Sequence, residues 1–265
     1  MEYADSDGVR VAYERAGTPE GETVVLVEGL GYGRWMWNWQ REGLGEYDLL
    51  LPDNRGTGDS DVPEGPYTVS EMAADIEAVL ADAGVARAHL VGASMGGMIA
   101  QQYALEYDRA ASLSLLCTSP GGPEEVPIPE ATLERMFGVP EEYDEREAVR
   151  YKMEPAMTEE FWAAEEELID EVVDWRLASD ASDRAREWQA AGVEAFDASG
   201  RLEQVGVPAL VLHGERDRVV PVENGRLLAD GLPDATLETF DEGGSHLFFI
   251  ERAEDVNARL RAFLP

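Results

Sequence analysis

The chain has 265 residues, 44% of them hydrophobic, which suits one large domain, or a core with an inserted sub-domain, and disfavours wholesale disorder. Its 55 acidic residues outweigh 21 basic ones and give a formal net charge of −34, a field that repels phosphate backbones and anionic bilayers, so neither nucleic-acid nor membrane binding is expected. A single cysteine, Cys117, excludes an internal disulfide and a Cys-cluster zinc site. No apolar run approaches the ~18 residues of a membrane span. The opening MEYADSDGVR has neither the basic nor the apolar region of a secretory signal, and a cytoplasmic location is expected. The acid is spread through patterned sequence and is densest between about Glu124 and Asp197. It reads as a solvated surface suited to a salt-rich cytoplasm, where screening shortens the Debye length to ~3 Å at 1 M. Attraction of cationic partners is the competing reading.

The elements follow in chain order. Val9 to Arg15 alternates and predicts an edge strand, and TVVLV (23–27) is a continuous apolar run expected of a strand covered on both faces. The Gly-rich EGLGYG comes next, then a short aromatic helix over Arg34 to Glu42. DLLLP (48–52) is a second buried strand, ended by the turn-rich DNRGTGDSD. Thr68 to Ala83 is a helix with Met72, Ile76, Val79 and Leu80 on one stripe and Gly84 at its stop. Ala88 to Val91 is a strand, Met95 to Tyr107 a helix and Leu113 to Cys117 a strand. Pro120 to Gly200 then runs Pro- and Glu-rich with helical stretches and no buried-strand pattern. Strand logic resumes at ALVLH (209–213), followed by a helix near Val222 to Ala229, a strand over Thr236 to Phe240 and a last helix over Leu247 to Phe263. Alternating strands and helices predict an α/β fold, a largely parallel sheet with helices on both faces. Residues 1–119 and 201–265 are expected to form the core, and 120–200, too long for a connection, an inserted helical cap.

The sharpest chemical signal is Gly92-Ala93-Ser94-Met95-Gly96, a G-x-S-x-G sequence between a strand and a helix. Such a turn is strained and tolerates no side chain at its flanks, and it presents Ser94 Oγ at a helix N-terminus that favours developing negative charge. A serine hydroxyl needs a base. His89 lies within a strand and His213 at a strand end; His246, in the loop DEGGSHLFFIE, is the candidate base. The base needs an acid. Asp217 in HGERDRVVP is the first candidate, with Glu215, Asp241 and Glu242 as alternatives. The order Ser94, Asp217, His246 is the chain order of α/β-hydrolases.

EGLGYGRWMW, DNRGTGDSD, GASMGGMIAQ and the pair HGERD with GGSHLFFIE together resemble the α/β-hydrolase fold superfamily over essentially the full length. Within it the chain is similar to the capped group of 3-oxoadipate enol-lactonase-like enzymes, bacterial esterases and cofactor-free haloperoxidase-like proteins. The resemblance implies an eight-stranded, mostly parallel sheet and a serine hydrolase of carboxylic esters or lactones, with Ser94 as nucleophile, Asp217 as acid and His246 as base. It implies backbone N–H groups of Leu30 and Met95 as the oxyanion hole. It also implies local bonding of Asp53 and Arg55 in the turn after the second strand. Perhydrolysis, C–C bond cleavage with the same triad and non-catalytic ligand binding are the alternatives. One residue departs from the pattern: Glu28 stands before the oxyanion-turn glycine where histidine is usual. Either Glu28 turns away and pairs with an arginine such as Arg34 or Arg55, or it recognises a donor on the substrate. Trp35, Met36, Trp162, Trp175 and Leu247 are expected to line a cleft between core and cap, a junction that ligand sites favour. No metal constellation and no nucleotide-binding pattern is present, so no cofactor is expected. The expected partner is a small ester or lactone, and the expected assembly a monomer or homodimer.

Overall fold

The computed structural model describes residues 1–265, apart from the side chain of Phe137. The chain opens on a hairpin of β1 (Glu2–Ser6) and β2 (Val9–Gly17), joined through Asp7 and Gly8, both at positive φ. Asp-Gly between alternating segments is a strong hairpin signal. The edge strand is therefore β1, and β2, read from its alternation as the edge, pairs on its other side with β4. After β3 (Thr23–Val27) a single turn, Arg34–Trp37, runs into α1 (Asn38–Gly43), and β4 (Asp48–Pro52) follows. α2 (Val69–Asp82) begins at a capping box, where Thr68 Oγ1 accepts the Glu71 N–H and the Glu71 carboxylate accepts the Thr68 N–H. Next come β5 (Ala88–Ala93), α3 (Met95–Glu106) and β6 (Ala110–Leu116).

Between β6 and the next strand lie five α-helices: α4 (Glu130–Phe137), α5 (Glu145–Met153), α6 (Glu159–Ala164), α7 (Glu166–Ser179) and α8 (Asp183–Glu194). The chain then closes with β7 (Ala209–Gly214), α9 (Val222–Gly231), β8 (Ala235–Phe240), α10 (Phe248–Glu251) and α11 (Ala253–Phe263). The last two replace the single helix expected over Leu247 to Phe263. No helix among the described residues is long and apolar enough to cross a membrane.

The eight strands form one sheet in the order β1-β2-β4-β3-β5-β6-β7-β8. β1–β2 and β2–β4 are antiparallel, and every later pairing is parallel. Alternating side chains divide the core into two layers. Val25 and Val27 join Leu90 and the α2–α3 side chains Ile76, Met98 and Ile99, while Val24 and Leu26 join Trp37, Phe249, Val256 and Leu260 on the opposite face. This period-2 division explains why the central strands read as unbroken apolar runs. The chain leaves β3 toward β4 on one side and returns to β5 on the other. The crevice between the carboxyl ends of β3 and β5 is thus a topological switch point, where open α/β sheets bind their ligands.

Candidate active site

Ser94 occupies that switch point. It lies between β5 and α3 at φ 55°, ψ −121°, a left-handed conformation that costs a non-glycine residue on the order of 1–3 kcal/mol. The surroundings impose it. Ser94 N–H donates to the Leu116 carbonyl at 2.9 Å, and Thr118 Oγ1 donates to the Ser94 carbonyl at 2.7 Å. A Cβ on Gly92 would lie 2.2 Å from the Gly96 carbonyl oxygen, and one on Gly96 would lie 2.1 Å from that of Val27. Both glycines are therefore required by backbone contact.

The turn after β3 abuts the serine: a Cβ on Gly29 would sit 3.6 Å from Ser94 Cβ. The Leu30 N–H has no hydrogen-bond partner among the described residues. The Met95 N–H, first of α3, has no carbonyl available within its helix. Leu30 and Met95 line the same cavity as Ser94.

Two glycine contacts bring the acid and base loops together. A Cβ on Gly214 would lie 2.2 Å from the Gly244 carbonyl oxygen, and Arg216 N–H donates to that same oxygen at 2.8 Å. His246 Nδ1 then meets Asp217 Oδ2 at 2.8 Å. Asp217 Oδ1 accepts the Val219 and Val220 N–H groups at 2.8 and 2.9 Å. His213, buried behind them, donates from Nε2 to the Val220 carbonyl at 2.8 Å and lies 3.4 Å from Asp217 Oδ2. Burial alone would raise the Asp217 carboxyl. The charge and hydrogen bonds of His246 and His213 outweigh it and hold the group down to about 2, so Asp217 is ionised at any working pH. Of the alternatives, Glu215 pairs with Arg226. His89 bonds Ser112 Oγ within the sheet. Ser94 Oγ makes no hydrogen bond to the His246 ring among the described residues, but both side chains face one cavity of about 620 Å³.

That cavity lies between the sheet and the five-helix segment. Met36, Met95 and Leu247 line it. The expected tryptophans do not. Trp35 donates from Nε1 to Asp180 Oδ1 at 2.8 Å and packs on Tyr32 and Trp175; Trp175 also meets Trp39; Trp162 faces the Arg150 guanidinium. These aromatics hold the helical segment and its connections in place instead of forming the cavity wall. Unforeseen wall residues are Cys117, Lys152, Arg176 and Arg186. The first directly follows β6; the other three come from α5, α7 and α8. Burial, then the Asp217 charge, push the Cys117 thiol well up, so it stays protonated. Among the described residues no three His, Cys, Asp or Glu side chains gather into a group able to hold a metal.

Glu28 follows neither expected course. Arg34 pairs with Asp53 at 2.9 Å and Arg55 pairs bidentately with the buried Asp75 at 2.7 Å, so both arginines are taken elsewhere. Arg55 thus bonds across the fold, not locally; Asp53 does bond locally, accepting the Asp59 N–H. Glu28 is fully buried away from the cavity wall, accepts the Asn54 N–H at 3.3 Å and keeps Oε1 without a partner. Burial, and next the Asp53 charge, push its carboxyl well above the usual carboxylate range. Burial raises Asp53 as well, against the Asp59 N–H and the Arg34 charge. Burial therefore favours the neutral form of Glu28.

The chain matches the alpha/beta hydrolase family over residues 24–259 and belongs to that family. It is 34% identical over 266 residues to the 2-hydroxy-6-oxononadienedioate/2-hydroxy-6-oxononatrienedioate hydrolase of Paraburkholderia phymatum, covering 97% of this chain and 91% of that one. A protein of Variovorax paradoxus, provisionally named a carbamate hydrolase, is 33% identical over 262 residues, covering 95% of each chain. Among solved structures, the enol-lactonase from Burkholderia xenovorans superposes with a TM-score of 0.85 at 26% identity, covering 99% of each chain. The fold and these relatives make the protein a hydrolase.

The neutral state of Glu28 has a pH signature. A carboxyl raised by folding costs nothing while folded and unfolded chains both hold its proton. Once pH exceeds the ordinary value of about 4.3 the unfolded chain ionises and stability is lost. Glu28→Gln should therefore melt above the wild type at pH 8, by about 2–4 °C per kcal/mol regained, with the advantage shrinking toward pH 4. Thermal melts across that range check this; a Gln variant destabilised most at pH 8 would mean that Glu28 is ionised.

Proposed function

We propose that the protein is a serine hydrolase of carboxylic esters or lactones. The observation that carries the reading is the 2.8 Å contact between His246 Nδ1 and the ionised Asp217, with His246 facing the same cavity as the strained Ser94. Ser94 Oγ attacks the carbonyl carbon while His246 Nε2 takes its proton. Asp217 fixes the ring, which keeps Nε2 as the acceptor, and stabilises the imidazolium. The Leu30 and Met95 N–H groups hold the tetrahedral oxyanion. Collapse breaks the acyl–oxygen bond, and His246 returns the proton to the leaving alcohol. Water, deprotonated by His246, then attacks the acyl-enzyme and releases the acid. A lactone follows the same steps with alcohol and acid in one product. Residues 120–200 act as the lid over the cavity.

A second reading is supported by identities of 34%, 30% and 32% to hydrolases named for 2-hydroxy-6-oxo dienoates and dienedioates. There the same triad would cleave a C–C bond beside a ketone. A chromogenic diketone run beside an ester and lactone panel separates the two.

We also propose that the acidic surface adapts the protein to a salt-rich cytoplasm, where close screening removes the self-repulsion of 34 net negative charges.

Three outcomes follow. Ser94→Ala should abolish 4-nitrophenyl ester turnover while leaving the melting temperature near that of the wild type; wild-type turnover in the variant would remove Ser94 from the mechanism. Asp217→Asn should lower kcat by about 10⁴-fold, because the ring then presents the wrong tautomer; steady-state kinetics at pH 7–8 measure it, and a loss below about tenfold contradicts the role given to Asp217. Melting temperature should rise with KCl from about 0.1 to 2 M as the Debye length falls below ~3 Å. Greatest stability without salt would contradict the adaptation.

A further inference from the structure

The less exposed charged side chains of the cavity wall, apart from His246, are cationic, while its four carboxylates are exposed. Its lining includes Arg176, Arg186 and the chain's single lysine, Lys152. Elsewhere buried arginines are answered by carboxylates, as Arg55 is by Asp75. Arg186 has no hydrogen-bond or carboxylate partner among the described residues, and its Nε is buried without one. Its guanidinium lies over the turn after β3: a Cβ on Gly31 would be 2.9 Å from Arg186 Nε. Gly31 immediately follows Leu30, which lines the same cavity as Ser94. The same α8 helix is pinned there by Gln189, which accepts the Gly31 N–H at 2.7 Å and donates to the Arg55 carbonyl at 2.9 Å.

Arg176 stands beside it, 95% buried. Its Nε donates to Asp180 Oδ2 at 2.8 Å, and its Nη1 is buried without a partner. Asp180 also accepts the Trp35 and Gly33 N–H groups, so one carboxylate serves three donors while two guanidinium groups keep open N–H bonds. Burial, then repulsion from Arg176, push Arg186 down from its ordinary value. Holding two cations this close with open donors is costly unless an anion completes the set. The cavity's own carboxylates, Glu125, Asp183, Glu187 and Glu194, are all exposed and belong to its mouth.

We propose that Arg186, backed by Arg176, is a carboxylate-binding subsite, and that the natural substrate is an ester or lactone carrying a carboxylate a few bonds from the scissile carbonyl. This rests on the hydrolase reading above and names its substrate class. The guanidinium fork matches a carboxylate in geometry, and its place beside the oxyanion turn sets the short spacing. Long-range repulsion between an anionic substrate and the acidic surface is screened in salt, whereas the contact inside the cavity is not.

The test is a matched pair, 4-nitrophenyl hydrogen glutarate and 4-nitrophenyl methyl glutarate, which differ by one methyl group and one charge. Wild-type kcat/KM should favour the anionic ester by about 10- to 100-fold, the range of a hydrogen bond to a charged group. In Arg186→Gln that ratio should fall toward one, and Arg186→Lys should keep part of it. Partial misfolding lowers both rates together and leaves the ratio intact. A wild-type ratio at or below one, or a ratio unmoved in Arg186→Gln, overturns the proposal. Calorimetric titration of Ser94→Ala with glutarate reads the subsite without turnover. Binding that weakens tenfold or more when Arg186→Gln is added supports it; no binding, or tighter binding of inorganic phosphate, overturns it. Glutarate binding with neither ester cleaved would sink the hydrolase reading and leave the subsite standing.

Discussion

Contact between two backbone segments at the carboxyl ends of β3 and β5 governs the rest of the site. Gly96 touches the Val27 carbonyl and Gly92 touches Gly96, with no room for a single carbon atom in either place. That contact tips α3 so that its first turn points into the crevice, and it forces Ser94 to φ 55°. The strain is borne by the rigid parallel sheet around it, where Leu116 and Thr118 hold the Ser94 backbone from β6. The placement of the Ser94 hydroxyl at the switch point of the sheet, beside Leu30 and Met95, is a consequence of the same close approach.

Buried charge is handled differently in each part of the molecule. Asp217 remains ionised because two histidines and two backbone amides surround it. Glu28 lacks such partners, and its burial favours the neutral form. Arg55 and Asp75 answer one another bidentately under the turn after β4. The acidic excess lies on the surface, where water and ions solvate it, and the carboxylates at the cavity mouth are exposed. A molecule with 34 net negative charges thus places Arg176, Arg186 and its single lysine on the wall of its cavity.

The parts of this arrangement legible in sequence are those fixed by local backbone chemistry. Gly92 and Gly96 betray the turn because only glycine fits, and the apolar runs of β3, β4 and β7 betray a sheet covered on both faces. His246 and Asp217 were found from strand-end loops and chain order. β1 escaped because its apolar positions are few and its Asp7-Gly8 turn lies so close to the N-terminus. The tryptophans misled because an amphipathic helix shows an apolar face without showing what covers it. Trp35 and Trp175 meet each other, not the cavity. Arg186 was invisible for a related reason: its place over Gly31 joins residues 155 positions apart in the chain, and no local pattern records that pairing. The neutrality of Glu28 likewise depends on Asn54 and Asp53, and on which arginines are already occupied.

The most direct measurement is a crystal structure of the protein inactivated by a fluorophosphonate, whose tetrahedral phosphorus imitates the acyl-transfer intermediate. The account predicts phosphorus on Ser94 Oγ, with one phosphonyl oxygen about 2.7–3.1 Å from both the Leu30 and Met95 nitrogens, and His246 Nε2 turned toward the serine oxygen. An unlabelled Ser94, or a phosphonyl oxygen pointing away from both amides, would contradict it.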